Sequence, residues 1–193
     1  RLGCITCNLN VGTDNPKLWT EILSIQETLN VEYEIEQISQ HPVNGQTRNA
    51  YLACGKKPGR YRPSAEALMR RVLQGKDLYR INNVVDMINM ISIKTGFSIG
   101  GYDADKIEGD IALGIGAENE PYEGLGRGEL NIHKLPVFRD EQGAFGSPTS
   151  DSERTGVSSG TKKFLMIFLD FGGNKALEMG MQSAKNAIEK YCE

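Results

Sequence analysis

The longest apolar run in this chain is Phe164 to Leu169, six residues long. A membrane-spanning helix needs about 20 apolar residues, whereas a buried strand needs only a handful. The run therefore predicts a strand over residues 163–171 sunk in a folded core, and no span across a bilayer. Gly172 and Gly173 turn the chain at its end. A last helix follows, with Leu177, Met181, Ala184 and Ile188 on one face at spacings of four, three and four.

Helical patterns fill the first half. Residues 2–11 read as an opening strand. Asn15 followed by Pro16 is a helix start, because Asn accepts from the free amides of the first turn and Pro needs no donor there. Leu18, Ile22, Ile25 and Leu29 form its stripe, and that helix, or a broken pair of helices, runs to about Gln40, where His41-Pro42 and Asn44-Gly45 break it. Further helices are expected over 46–54, from an N-cap at Ser64 to Gly75, and from Asn82 or Asn83 to Gly96. The last of these turns Val84, Met87, Ile88 and Ile91 inward.

The texture changes after Gly96. Ile99, Gly100, Gly101 and Tyr102 read as a glycine-rich turn, and residues 110–115 and 135–139 as strands. Gly124, Gly126 and Gly128 punctuate short strands, and residues 142–160 form a long hydroxyl-rich loop. Helices first, strands second and one closing helix is α+β ordering, not a βαβ alternation. With no repeat and no linker, residues 1–193 are expected to form a single domain.

A domain of 193 residues buries about 70% of its unfolded surface and needs no staples. The net charge of −3 argues against nucleic-acid binding by the whole surface, while leaving room for a local basic face. The N-terminal Arg1-Leu2-Gly3-Cys4 has no signal-peptide core, and four cysteines make no disulfide framework. A soluble protein of the reducing cytoplasm is the expected setting.

Cys4 and Cys7 have metal-site spacing, but no second pair completes a site, and strand positions three apart face opposite sides. His41 and His133, the two histidines, lie in no nucleophile motif. Gly124-Leu125-Gly126-Arg127-Gly128 suggests a phosphate cradle, but residues 129–132 look extended where a cradle needs a helix. A glycine-bearing hairpin is expected instead.

Two polar stretches stand out. Lys56, Lys57, Arg60, Arg62, Arg70, Arg71, Lys76 and Arg80 face only Glu66 and Asp77, with Tyr61 and Tyr79 among them. This is either a solvated face or a surface for RNA phosphates with aromatics for stacking. Lys56, Lys57, Arg60, Arg70 and Arg71 are the expected RNA contacts. From Ser147 to Thr155, five hydroxyls, two carboxylates and one guanidinium fall within nine positions, a supply of donors and acceptors for a polar ligand.

Residues 62–71 (RPSAEALMRR), 81–89 (INNVVDMIN), 102–110 (YDADKIEGD) and 146–155 (GSPTSDSERT) together resemble the B3/B4 domain of the phenylalanyl-tRNA synthetase β chain, and its stand-alone relatives in particular. The resemblance covers about residues 44–191, with 1–43 as a strand and helix packed on it. It implies an α+β fold with a sandwich-like mixed sheet core flanked by helices. It also implies editing: a positioned water, without metal or cofactor, hydrolyses the ester of tyrosine wrongly joined to the phenylalanine tRNA. The implied partner is tRNA or aminoacyl-tRNA, with no DNA and no membrane.

Carried over by position, the resemblance places Asn89 at the polar Asn of the family's pocket-lining helix. Gly100, Gly101, Tyr102 and Asp103 correspond to the pocket turn. Ser150, Asp151 and Thr155 fall in the substrate-binding segment, with Glu153 as its catalytic carboxylate. The bacterial motif has a His three positions before the Asp, where this chain has Gly100. The synthetase's catalytic-like and anticodon-reading modules have no room here, so autonomous aminoacylation is not expected. Three functions stay open: an editing hydrolase, a non-catalytic binder of tRNA or an amino-acid-like ligand, and an unrelated enzyme using the pocket on a small amide or ester.

Overall fold

The computed structural model describes residues 1–173 and 175–192. Its elements run β1 (Leu2–Asn8), α1 (Pro16–Glu32), α2 (Pro42–Ala53), α3 (Ser64–Leu73), α4 (Asn83–Thr95), β2 (Ile99–Asp103), β3 (Ala112–Ile115), β4 (Glu123–Gly124), β5 (Gly128–Glu129), β6 (Pro136–Asp140), β7 (Gly143–Gly146), β8 (Lys163–Leu169) and α5 (Ala176–Tyr191).

The apolar run organises the fold. β8 lies between β1 and β2 in a three-stranded sheet, and β3, β6 and β7 make a second. Phe164, Met166 and Phe168 on one face of β8 enter the core built with α1, α3, α4 and α5. Leu165, Ile167 and Leu169 on the other face pack with Tyr102, Phe138 and Phe145, joining the two sheets. A strand covered on both faces needs no polar alternation, which is why the run is unbroken. The result is a helical layer, a sheet and a second sheet: the α+β architecture with a sandwich-like core. Every ladder among the described strands is antiparallel.

Asn15 caps α1 by accepting from the Leu18 amide at 3.2 Å. The helix ends at Glu32, short of Gln40, because its stripe ends at Leu29 and a longer helix has nothing more to bury. The chain re-enters the core at Ile38 in a 3-10 turn. His41, at φ −50° and ψ 132°, does separate the preceding turn from the next helix, whereas Asn44-Gly45 is no break. Pro42 begins α2, where its missing amide costs nothing, and Gly45 lies inside that helix. Burial of Val43, Asn44 and Thr47 outweighs the poor propensity of Gly.

Pro63, not Ser64, is the N-cap of α3. The Ser64 amide donates instead to the Pro148 carbonyl at 2.7 Å, tying α3 to the polar loop. α4 runs as expected between the Asn82 cap and a left-handed Gly96. Residues 99–102 form β2 rather than a turn. Their glycines serve close approach, since a Cβ on Gly101 would overlap Ile88 and one on Gly100 would overlap the Tyr102 hydroxyl. β7 claims part of the expected loop by pairing with β6. The glycine hairpin forms as β4 and β5, with Gly126 and Gly128 at positive φ.

Candidate ligand-binding site

A cavity of about 310 Å³ opens where the helical layer meets the edge of the first sheet. α3 contributes Ala67, Leu68 and Arg71, and α4 contributes Val85, Ile88, Asn89 and Ser92. The one-turn spacings within each set put them on the inward helix face. β2 supplies Ile99 and Gly101, the polar loop Ser147, Ser150 and Asp151, and the β4–β5 tip Leu125 and Arg127. The walls are largely apolar and the polar groups few, the usual constitution of a small-ligand site.

The loop is ordered by its own hydrogen bonds. Ser147 Oγ accepts from the Thr149 and Ser150 amides at 3.3 and 3.1 Å. The Tyr122 hydroxyl donates to the Ser150 carbonyl at 2.6 Å, and the Tyr51 hydroxyl pairs with that of Thr149 at 2.9 Å. The Leu125 amide donates to the Asp151 carbonyl at 2.9 Å, so loop and hairpin tip move as one. These bonds fix where Asp151 points.

Asp151 lines the cavity and its carboxylate accepts from the Gly101 amide at 3.3 Å. Burial pushes this carboxyl up to about 7, partly offset by the Tyr102 hydroxyl and the Gly101 amide. Tyr102 is fully buried, its ring edge-on to Phe145 at 5.0 Å. Burial first, and the Asp151 charge second, hold its phenol well above the ordinary value. Its hydroxyl has no hydrogen-bond partner of ordinary geometry among the described residues. It sits between Gly100 and Gly146, in the space their side chains would take.

Of the expected ligand contacts, the structure brings Asn89, Gly101, Ser150 and Asp151 together around the cavity. Gly100 and Tyr102 lie on the opposite face of β2, toward the second sheet. Asp103 and Thr155 serve the interior: the Asp103 carboxylate accepts from the Thr161 hydroxyl at 2.8 Å, and the Thr155 carbonyl accepts from the Asp103 amide at 2.9 Å. Glu153, the expected catalytic carboxylate, is exposed and accepts from the Gly126 amide at 3.4 Å. It braces the hairpin tip, and the carboxylate in the cavity is Asp151.

Two of the expected RNA-contact cations are also spent inside. Lys56 is buried, donating to the Asn131 and His133 carbonyls at 3.0 and 2.6 Å beneath the Tyr61 ring. Arg70 donates to Glu66 at 2.9 Å, a fully buried carboxylate that also holds Arg48 at 3.0 Å and Arg62 at 3.7 Å. Arg71 lies 3.8 Å over the Tyr79 ring at the cavity mouth. Lys57 and Arg60 are exposed. Beside the mouth runs a groove of about 520 Å³ carrying Arg60, Arg62 and Arg127, and it shares Ala67 and Arg127 with the cavity. Arg127 and Leu125 were missed in the sequence because they are remote from the basic stretch. Their signal was the glycine hairpin itself, whose tip must project.

Among the described residues no group of three or more His, Cys, Asp or Glu can hold a metal. No described helix is long and apolar enough to cross a membrane.

Fold and site define an α+β domain with a cavity on the helix–sheet seam and arginines at its mouth. The family model described as the B3/4 domain matches residues 46–188, and the chain belongs to that family. It is 32% identical over 100 residues to the phenylalanine–tRNA ligase beta subunit of Bartonella quintana (strain Toulouse), and 31% identical over 100 residues to that of Bartonella henselae. Each match covers 51% of this chain and 12% of the relative, so the chain spans a small part of those proteins' length. A crystal structure of an N-terminal fragment of the phenylalanyl-tRNA synthetase beta-subunit from Pyrococcus horikoshii is similar at 20% identity and a TM-score of 0.48. That similarity covers 56% of this chain and 40% of the fragment.

Proposed function

We propose that the chain binds the aminoacylated 3′ end of a tRNA, with the acyl group in the cavity and the RNA backbone along the arginine groove. The observation that carries this reading is the adjacency of the two spaces, which share Ala67 and Arg127 in their walls. Leu68, Val85, Ile88 and Ile99 suit an apolar amino-acid side chain. Arg60, Arg62 and Arg127 suit phosphates, and Tyr61 beside them suits base stacking. Membership of the B3/4 family and similarity to ligase beta subunits support the same partner.

Hydrolysis of the ester in trans is the activity this arrangement supports. Asn89, Ser150 and Asp151 offer donors and acceptors for a water held near the acyl carbonyl. Glu153 acts at a distance, by holding the hairpin tip that carries Leu125 and Arg127. Binding without turnover is the second reading, favoured by Gly100 standing where the bacterial motif has a His.

The test is release of tyrosine from tyrosyl-tRNA(Phe), together with binding of the same tRNA across a salt series. The reading expects saturable, salt-sensitive binding and release above the buffer rate, with Asp151→Asn more damaging than Glu153→Ala. Binding without release selects the second reading. No binding at low salt overturns both.

A further inference from the structure

Among the described residues, four carboxylates sunk in the protein are held by cations or by paired donors. Glu66 holds three arginines. Asp140 receives both terminal nitrogens of Arg154, at 2.9 and 2.7 Å. Asp103 has Thr161 at 2.8 Å and Lys106 at 3.6 Å. Asp86 accepts from the Trp19 indole at 2.8 Å and the Ile81 amide at 2.9 Å. Asp151, half-buried at the cavity wall, has the Gly101 amide at 3.3 Å and the Tyr102 hydroxyl beside it, but no ion pair among the described residues. An ionised carboxylate away from water is costly without a cation, and this one faces open volume rather than packed protein.

The cavity is also polarised. Arg71 from α3 and Arg127 from the hairpin tip line it, and the Asp151 carboxylate lies beside the Gly101 amide of β2. A ligand carrying a cation at one end and an ester or phosphate at the other has one favourable orientation: cation toward Asp151, anionic end toward the arginines.

We infer that Asp151 is the receptor for the ligand's ammonium group, so that the site selects acyl groups bearing a free α-amine and discriminates against neutral isosteres. This rests on the proposed function and specifies which part of the aminoacyl group the cavity reads. The ammonium supplies the countercharge that the Tyr102 hydroxyl and the Gly101 amide do not, through a charge-assisted hydrogen bond. The raised Asp151 carboxyl is what an anion awaiting a partner displays, and the partner's arrival draws it back down.

The test uses two adenosine probes with a hydrolysis-resistant 3′-amide link, one carrying L-phenylalanine and the other its α-hydroxy analogue, L-phenyllactate. The two differ only in amine against hydroxyl. Bare 3′-amino-3′-deoxyadenosine is the third ligand, and calorimetry near pH 7 gives the affinities. The inference expects the amine to bind about tenfold tighter than the hydroxy analogue or better, the range of a charge-assisted hydrogen bond. Asp151→Asn should close that gap by weakening the amine alone. Equal affinities in the wild type overturn the inference whether or not the variant folds, while leaving the proposed function standing. A gap that survives in Asp151→Asn also overturns it. If neither acylated probe binds better than the bare nucleoside, the proposed function fails and the inference falls with it.

Discussion

The Tyr102 hydroxyl occupies the space that a side chain on Gly100 would need. Both residues face the second sheet from β2, two positions apart, and the phenol lies over the bare Cα of its neighbour. The glycine at this position is thus a steric partner of the tyrosine. A larger residue at 100 and a tyrosine at 102 in this rotamer exclude each other.

Gly100→Ala should therefore destabilise the fold by about 1–3 kcal/mol, the usual range for overpacking a core. Much of that loss should vanish in a Tyr102→Ala background, which removes the hydroxyl together with the ring carbons that would lie 2.5 and 2.7 Å from the new Cβ. Urea denaturation of the four proteins of this double-mutant cycle measures the coupling. Additive losses would show that the two residues do not share the space.

Asp151 should make stability fall with pH in a definite window. Its folded carboxyl is raised to about 7, against an ordinary value near 4 in the unfolded chain. Between those values the folded state binds the extra proton, so this contribution is complete below about pH 4 and is lost as pH rises to about 7. Tyr102 and Tyr122, which neighbour the carboxyl, stay protonated across the window because burial raises both phenols. Arg71 and Arg127 complete the charged groups around the cavity. Chemical denaturation from pH 4 to 8 should show a steeper decline in the wild type than in Asp151→Asn. Identical slopes would remove Asp151 as the cause.

Glu66 anchors three partly exposed arginines from within the protein, and Glu66→Ala should cost about 1–3 kcal/mol by removing the carboxylate that they pair with. Arg70→Ala should lower the melting temperature as well. Weakened RNA binding in Arg70→Ala is accordingly a folding effect before it is a contact effect. Thermal melts recorded alongside binding separate the two.

Arg60 and Arg127 are exposed and form no ion pair among the described residues. The double substitution Arg60→Ala plus Arg127→Ala should leave the melting temperature within about 1 °C, as surface changes usually do. It should weaken tRNA binding and flatten the salt dependence by about two counterions' worth of slope. An unchanged slope would move the RNA track elsewhere.

The order of elements was legible because long periodic stripes and one unbroken apolar run carry strong signals. Asn15, Asn82 and Gly96 marked helix ends by chemistry that is local to them. The errors came where tertiary contact overrides local preference. Gly45 is helical because its neighbours are buried, and the two glycines of β2 are extended because Ile88 and Tyr102 crowd them. The candidate site was half legible. The hydroxyl-rich loop is legible, but the chain turns there, so Asp151 faces the cavity and Glu153, two positions on, faces out, which strict alternation would not allow. Lys56 reads as surface charge because the Asn131 and His133 carbonyls that hold it lie far along the chain, and Arg70 because nothing in the sequence marks Glu66, one turn before it, as a buried carboxylate.

The ladder between β1 and β8 joins Leu2 to Leu169 and Asn8 to Lys163. β2, whose Gly101 forms the cavity floor, hangs on the same central strand. A nascent chain can form its helices early, but it has no sheet on which to seat them until β8 has left the ribosome. The ligand site is thus a late product of synthesis, closed by contacts of very long sequence separation that form slowly. Until then the apolar faces of α1, α3 and α4 have no sheet to cover them, and exposed faces of that kind make an unfinished chain prone to stick to its neighbours.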